Sequence, residues 1–421
     1  MHARDAQAAL NLFHGPVWKA VWFDLGAEQP SRLLLVIHHL LVDGVSWRVL
    51  LEDIQVAYSQ LVQNQAVKLA AKTTAFQQWA GQLQSYAQSE EVVKQLPYWL
   101  AQTDHLFHNL PTDHQTGANT ASSVEHVRQA LNREETRALL EDVPPAFHTQ
   151  INDVLLTALA LTLLPWSGNR ALFVNLESHG REYLQPGMDL SRSVAGSPAY
   201  IHCCWTCGTG RDATADRFEA DQRAVAPGAT FRHWLWALRY LYQPDESLPA
   251  EQRATLEQLR TLPCAQLSFN YLGQFDQVIQ SDGIFGEAAE SSGMSQYENN
   301  LRVHLLDITA SIVDGGFAID WAYSTAHHEA KTIERLANNF IQRVRQIIVL
   351  CQDLQNSGYT PSDFPLACMT QEQIDRLLGN NRNVESVYRC RPCSRVCCSI
   401  VSMSQSAATI LSRPALALMV H

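Results

Sequence analysis

Two neighbouring histidines, His38 and His39, stand directly after the apolar run Leu33–Ile37 and are followed by Asp43–Gly44 and an amphipathic stretch, Val45–Ile54. Histidine is the side chain best matched to proton transfer near neutral pH. A second apolar run, Ala171–Leu176, delivers Glu177, Ser178 and His179 at its end. A histidine and a carboxylate brought to one dry cleft can move a proton between them, because burial lifts a carboxyl's proton affinity toward neutrality. Neighbouring side chains of a strand point to opposite faces, so only one of His38 and His39 can face a cleft and the other faces packing. A metal reading competes. His38, His39 and Asp43 could be drawn as ligands, as could Cys203–Cys204–Cys207 or Cys390–Cys393–Cys397. Structural zinc wants paired knuckles of two to four intervening residues. Cys390–Cys393 has one such spacing and no second pair in context, so no metal site is expected. No P-loop or Gly-rich dinucleotide fingerprint follows a strand, so nucleotide use is not indicated.

The elements that must position these residues are legible in the hydrophobic pattern. Val17–Leu25, with Trp18 and Trp22, suits a strand or one helical face. Val45–Val62 reads as a helix with Leu50, Leu51, Ile54, Tyr58 and Leu61 on one face. Helices are predicted over Ala75–Tyr86, Glu90–Leu100 and Arg133–Leu140, the last broken by Pro144–Pro145. Gln150–Leu164 is an apolar helix capped by Asn152 or Asp153, Trp166–Arg170 a turn, and Thr255–Leu262 helical. Residues 103–124 read as a loop, Ser122–Leu131 as a strand, and Gln266–Tyr271 as a strand ending in a turn at Gly273. Leu301–Val313 and Gly316–Tyr323 pair across Asp314–Gly315, a hairpin signal. His327–Leu350 is a long amphipathic helix, and Thr370 caps a short one to Leu378.

HHLLVDGVSW resembles the HHxxxDG core of the condensation-domain superfamily of nonribosomal peptide synthetases, and Ser46–Trp47 with the LLEDI tail is similar to its epimerization branch. QINDVLLTAL (Gln150–Leu159), LESHGRE (Leu176–Glu182) and FNYLGQ (Phe269–Gln274) follow in the order of that branch. The resemblance implies an α/β fold of the α+β sandwich kind: two chloramphenicol-acetyltransferase-like lobes with an active-site tunnel between them, the first lobe incomplete. It implies 1–110 as the remainder of an N-terminal lobe, 111–358 as a C-terminal lobe and 359–388 as an inter-domain linker. The implied activity is epimerization of an L-aminoacyl or peptidyl thioester on a carrier protein. His39 and Glu177 are then the proton-transfer pair, with neither assigned as base or acid. His38 turns away from His39 into packing. Asp43 pairs with an arginine, Arg181 or Arg192 being the candidates, and Gly44 permits the turn. Asn270 and Tyr271 are candidate hydrogen-bond donors to the cleft, Tyr271 being equally readable as an ordinary strand aromatic. His179 assists or caps its loop, and Ser178 departs from the family's usual glycine. The domain binds no cofactor of its own; the phosphopantetheine arm comes with a peptidyl carrier protein, and the other partners are neighbouring adenylation and condensation domains.

Composition narrows the rest. The formal net charge of −11 disfavours nucleic acid and anionic membrane surfaces as partners. No apolar run approaches the ~20 residues of a membrane-spanning helix, and no signal peptide is read at the N-terminus, so the expected compartment is the cytoplasm. The resemblance lapses in two cysteine-rich windows, Ala195 to about Trp234 and Arg389–His421, where a one-base frame slip converts the family's run into the residues present. Two rivals stand beside epimerization. One is peptide-bond condensation, which shares HHxxxDG but not the Glu177 motif or FNYLGQ. The other is a non-catalytic remnant of a synthetase.

Overall fold

The structure, a computed structural model, describes residues 3–97, 99, 109–114, 117–147, 149–169, 171–178, 181, 187–196, 199–206, 235, 237–244, 248–261, 263–274, 286, 288, 290–293, 296–352, 369, 371–379, 384–389, 410–411 and 416–420. It divides into two compact units. The first comprises Met1–Arg128, Phe173–Cys203 and His233–Ile333; the second comprises Gln129–Leu172, Cys204–Arg232 and Glu334–His421.

The first unit holds nearly all of a mixed six-stranded sheet, so the fold is of the mixed α/β class. Its strands are β3 (Val124–Ala130), β4 (Ala171–Ser178), β5 (Ala199–Thr206), β6 (Leu267–Gln274), β7 (Leu306–Val313) and β8 (Gly316–Ser324), in the order β3-β8-β7-β6-β4-β5. β4, β6 and β7 run parallel, and β7 and β8 form an antiparallel hairpin. Asp314 and Gly315 both have positive φ, 51° and 71°, which is the twist a two-residue hairpin needs.

Alternation gives this sheet two unlike faces. One carries Val174, Leu267, Phe269, Leu306, Ile308, Ala310, Phe317, Ile319, Trp321 and Tyr323, all buried. The other carries Asn175 and Glu177 on β4, Ser268 and Asn270 on β6, Asp307 and Thr309 on β7 and Asp320 on β8. The same unit contains an antiparallel pair, β1 (Trp18–Phe23) and β2 (Arg32–Ile37), and the helices α1 (Ala3–Ala8), α2 (Gly44–Val62), α3 (Phe76–Ala87) and α4 (Glu90–Val93). β1 resolves the Trp18/Trp22 ambiguity as a strand. The second unit contains the helix Ile151–Ser167, the helix Ala330–Gln352 from Glu334 onward, and a small sheet in which Val384–Arg389 pairs with Leu416–Val420.

Several predicted boundaries are corrected. Pro144–Pro145 does not break the helix: Arg133–Arg137 passes through a π turn, Ala138–Asp142, into Val143–Phe147. The wider turn seats both rings in the first turn of the last segment, where their missing N–H groups cost little. Ile151–Ser167 is capped by Gln150, with Asp153 closing the capping box, and it runs through Pro165 to Ser167. The predicted Glu90–Leu100 helix stops at Val93 before resuming. β7 starts at Leu306 rather than Leu301, and β6 does not end at Gly273 but continues to Gln274 through an irregularity in its pairing with β7. Thr370, Cys207 and the Cys390–Cys398 patch lie outside the described residues.

Candidate active site

The loop after β2 is tied down by Asp43. As N-cap of α2 it accepts the Ser46 N–H at 2.7 Å, satisfying one of the free donors of the helix's first turn. Arg181 donates to both carboxylate oxygens, Nη1 to Oδ2 at 2.5 Å and Nη2 to Oδ1 at 2.8 Å. Arg181 also donates to the Ser46 hydroxyl and to the Ser193 carbonyl, each at 2.9 Å. Burial, at 7 % exposure, works against the Asp43 charge, but the Arg181 and Ser46 hydrogen bonds outweigh it and hold the carboxyl below its ordinary range. Ser46, fully buried, then bridges to the Ala195 main chain, accepting from its N–H at 3.0 Å and donating to its carbonyl at 2.9 Å. Gly196 N–H reaches the Leu40 carbonyl at 3.3 Å, and a Cβ at Gly196 would collide with the His39 carbonyl oxygen. The chain at 193–196 is therefore laid against the backbone that presents His39.

Glu177 sits in the second-last position of β4 and not beyond its end, since the strand runs on to Ser178. Asn270 Nδ2 donates to Glu177 Oε2 at 2.5 Å from the adjacent strand. The Glu177 side chain keeps an open edge, yet the protein around its carboxyl removes enough water to push its proton affinity up. A charge on His39 and the Asn270 bond pull the other way, while Asp43 and Asp307 add to the rise. His39 is thus near enough to act electrostatically on Glu177, and it is exposed on its loop.

The remaining predicted residues fall as follows. His38 Nδ1 accepts the Leu40 N–H at 3.2 Å, a local loop contact. Of the two arginine candidates, Arg181 holds Asp43, and Arg192 is instead paired with Glu52 and Asp53. Gly44 does not serve the turn: it is the first helical residue, has no positive φ, and an added Cβ would meet open space. Tyr271 alternates to the face opposite Asn270, in register with buried Ala310, and burial pushes its phenol up. The structure therefore joins Asn270, and not Tyr271, to Glu177. His179 lies outside the described residues. Among the described residues no three His, Cys, Asp or Glu side chains are grouped to hold a metal ion. The pivot missed in the sequence is Ser46. Its bonding role had one signal, its place three residues after Asp43, the spacing of an N-cap and its N3 partner.

Comparison with known proteins gives the family. A family model described as the condensation domain matches residues 1–195. The epimerization domain from the third module of tyrocidine synthetase B superposes with a TM-score of 0.73 at 32% identity, covering 83% of this chain and 76% of that one. The chain belongs to the condensation-domain family of nonribosomal peptide synthetases. Its fold is thus the chloramphenicol-acetyltransferase-like fold of that family. A linear gramicidin synthase of Brevibacillus parabrevis is 44% identical over 397 residues, 93% of this condensation-family chain and 5% of that protein. The chain spans only a small fraction of the synthases it matches. The first condensation domain of the CDA synthetase shares the fold alone, with a TM-score of 0.51 at 15% identity. No single helix among the described residues is long and apolar enough to cross a membrane.

Proposed function

We propose that this site epimerizes an L-aminoacyl or peptidyl thioester carried on the phosphopantetheine arm of a carrier protein. The observation that carries the reading is Glu177: a carboxyl on a sheet strand, bonded by Asn270, with its proton affinity raised and His39 near it. A thioester acidifies the neighbouring Cα–H. One member of the pair, in its basic form, takes that proton, and the bonding electrons move onto the thioester oxygen as an enolate. The other, in its acidic form, returns a proton to the opposite face of Cα as the enolate collapses. Each group ends in the complementary protonation state, and exchange with solvent restores the pair. Peptide-bond condensation needs no carboxyl at 177. The higher similarity to the tyrocidine synthetase epimerization domain than to the CDA condensation domain also supports epimerization.

By the same reading the arm is substrate, delivered by a peptidyl carrier domain beside adenylation and condensation domains of a cytoplasmic synthetase. Residues 1–110 and 111–358 then contribute the two lobes that flank the arm. The test is exchange of the Cα proton in deuterium oxide, with the purified chain and a panel of L-aminoacyl carrier thioesters, read by mass spectrometry and chiral analysis. Deuterium at Cα with formation of the D-isomer is expected, lost in Glu177→Gln. A chain that unfolds cooperatively yet catalyses no exchange with any thioester would overturn the reading in favour of a non-catalytic remnant.

A further inference from the structure

The polar face of the sheet carries two ranks of side chains. The first is Glu177, Asn270, Thr309 and Asp320. The second, two residues earlier on the parallel strands, is Asn175, Ser268 and Asp307, in register with one another across β4, β6 and β7. The proton-transfer pair does not use the second rank, yet its members are tightly bound. Ser268 Oγ donates to Asp307 Oδ1 at 2.6 Å, and His304 Nδ1 lies 2.8 Å from the same oxygen. His304 Nε2 lies 2.9 Å from Asn175 Nδ2. An amide nitrogen only donates, so Nε2 accepts and the ring proton sits on Nδ1, pointing at Asp307. Arg302 Nη2 donates to the other oxygen, Oδ2, at 2.7 Å and to the Ala322 carbonyl on β8 at 3.1 Å. Burial opposes the Asp307 charge, but the His304, Ser268 and Arg302 bonds hold its carboxyl down to about 2.

The orientation of this pair matters more than its existence. β8 lies on the far side of β7 from β6 and β4. Arg302 reaches toward β8, while Asp307 Oδ1 is turned toward Ser268 on β6. The ion pair therefore points its negative end along the sheet toward Glu177.

We propose that Asp307 is a positioning residue for proton transfer: fixed one rank deeper on the same sheet face, with its Arg302 partner on the β8 side, its charge sets the electrostatic environment of Glu177. This rests on the epimerization reading of Glu177. The other described groups on this side of Glu177 are His39 from the β2–α2 loop, Asn270 from β6, Asp43 from the start of α2, and His304, whose ring bridges Asp307 to Asn175 on Glu177's own strand. Asp43 is neutralised by Arg181, itself a neighbour of Glu177 in the chain. Asp307 is thus the carboxylate whose countercharge is turned away from the site.

The test titrates Glu177 directly and needs no turnover. The protein is labelled with glutamate carrying 13C at the carboxyl, and the Glu177 resonance is the one missing from Glu177→Gln. Two strands of lateral separation and two residues along the strand put Asp307 about 12 Å from Glu177. One charge at that range, between interior and aqueous screening, moves a carboxyl by roughly 0.3–1 unit. Asp307→Asn should lower the Glu177 midpoint by that amount. Arg302→Gln, which removes the positive end, should raise it. A merely structural role for the network would move neither, or both in the same direction, and that result overturns the proposal. If Asp307→Asn does not fold, the Arg302→Gln shift alone decides. The paired readout is the pH profile of kcat/KM: wild-type protein without epimerization defeats the function above, whereas epimerization with an unmoved limb in both variants defeats only the role of Asp307.

Discussion

Replacing Arg181 by leucine should destabilise the chain strongly near neutrality and only weakly at acid pH. Among the described residues Arg181 makes five hydrogen bonds, two to the Asp43 carboxylate, one to the Ser46 hydroxyl and two to the Ser193 carbonyl. Its leucine replacement strands a carboxylate that is 7 % exposed, with the Ser46 N–H as its remaining hydrogen bond. Breaking a buried pair from one side costs about 3–5 kcal/mol, a large share of the 5–15 kcal/mol by which domains are stable. The sign of the pH effect follows from Asp43. In the wild type its carboxyl is held below the ordinary value, so its contribution is present above that value and lost as pH falls through the lowered one. In Arg181→Leu burial is opposed only by the Ser46 hydrogen bonds, so the Asp43 carboxyl is lifted relative to the wild type. The penalty for a stranded charge is then full above the lifted value and relieved as pH falls through it. The gap between the two proteins should therefore narrow steadily from pH 7.5 to pH 4.5. Urea unfolding followed by tryptophan fluorescence measures it, with Asp43→Val and the double variant completing a cycle. The double variant should recover stability relative to Arg181→Leu. A gap that is equal at both pH values, or a coupling below about 0.5 kcal/mol, would refute the account.

Three further outcomes are expected. Gly315→Val should cost roughly 1–2 kcal/mol, because a β-branched residue is forced into positive φ, whereas Asp314→Gly should be tolerated; thermal melts of the two variants separate them. The face of β1–β2 bearing Trp18, Trp22 and Leu33 is open, Trp18 at 58 % and Trp22 at 66 %, so the chain should bind a hydrophobic dye and Trp18→Gln with Trp22→Gln should reduce that binding at little cost in stability. Resequencing the DNA across codons 190–240 and 385–395 should reveal one missing base near each junction; an intact frame at both would dismiss the frame-slip reading of the two cysteine-rich windows.

What could be read in advance was whatever depends on local pattern. β2, α2 and the β7–β8 hairpin follow from an apolar run, a helical period and Asp314–Gly315, each a signal within a dozen residues. The arginine that holds Asp43 was left between Arg181 and Arg192 because the choice is made across 138 residues by the fold, and both bear the same charge. Gly44 looked like a turn residue because Asp-Gly is a turn signal, but Asp43 is a helix cap and the glycine simply starts the helix. Pro144–Pro145 looked like a breaker because a π turn leaves no mark in composition. The second polar rank was half legible. Alternation in NLES, LSFN and LDIT puts polar residues on one face of each strand, but no sequence rule says that the three strands are neighbours in the order β4, β6, β7.

Synthesis of the chain meets the Asp43 clasp in an awkward order. Asp43 leaves the ribosome 138 residues before Arg181, and Glu177 leaves 93 residues before Asn270. At typical elongation rates of about 5–20 residues per second, the first interval alone lasts roughly 7–28 s. For that time β2 and α2 exist with their cap satisfied by Ser46 but with a carboxylate still in need of a cation. Until Arg181 arrives the Asp43 carboxylate has no guanidinium to be buried against, so the β2–α2 loop cannot close over it. Pauses or truncations between these two codons would release nascent chains with that clasp unmade.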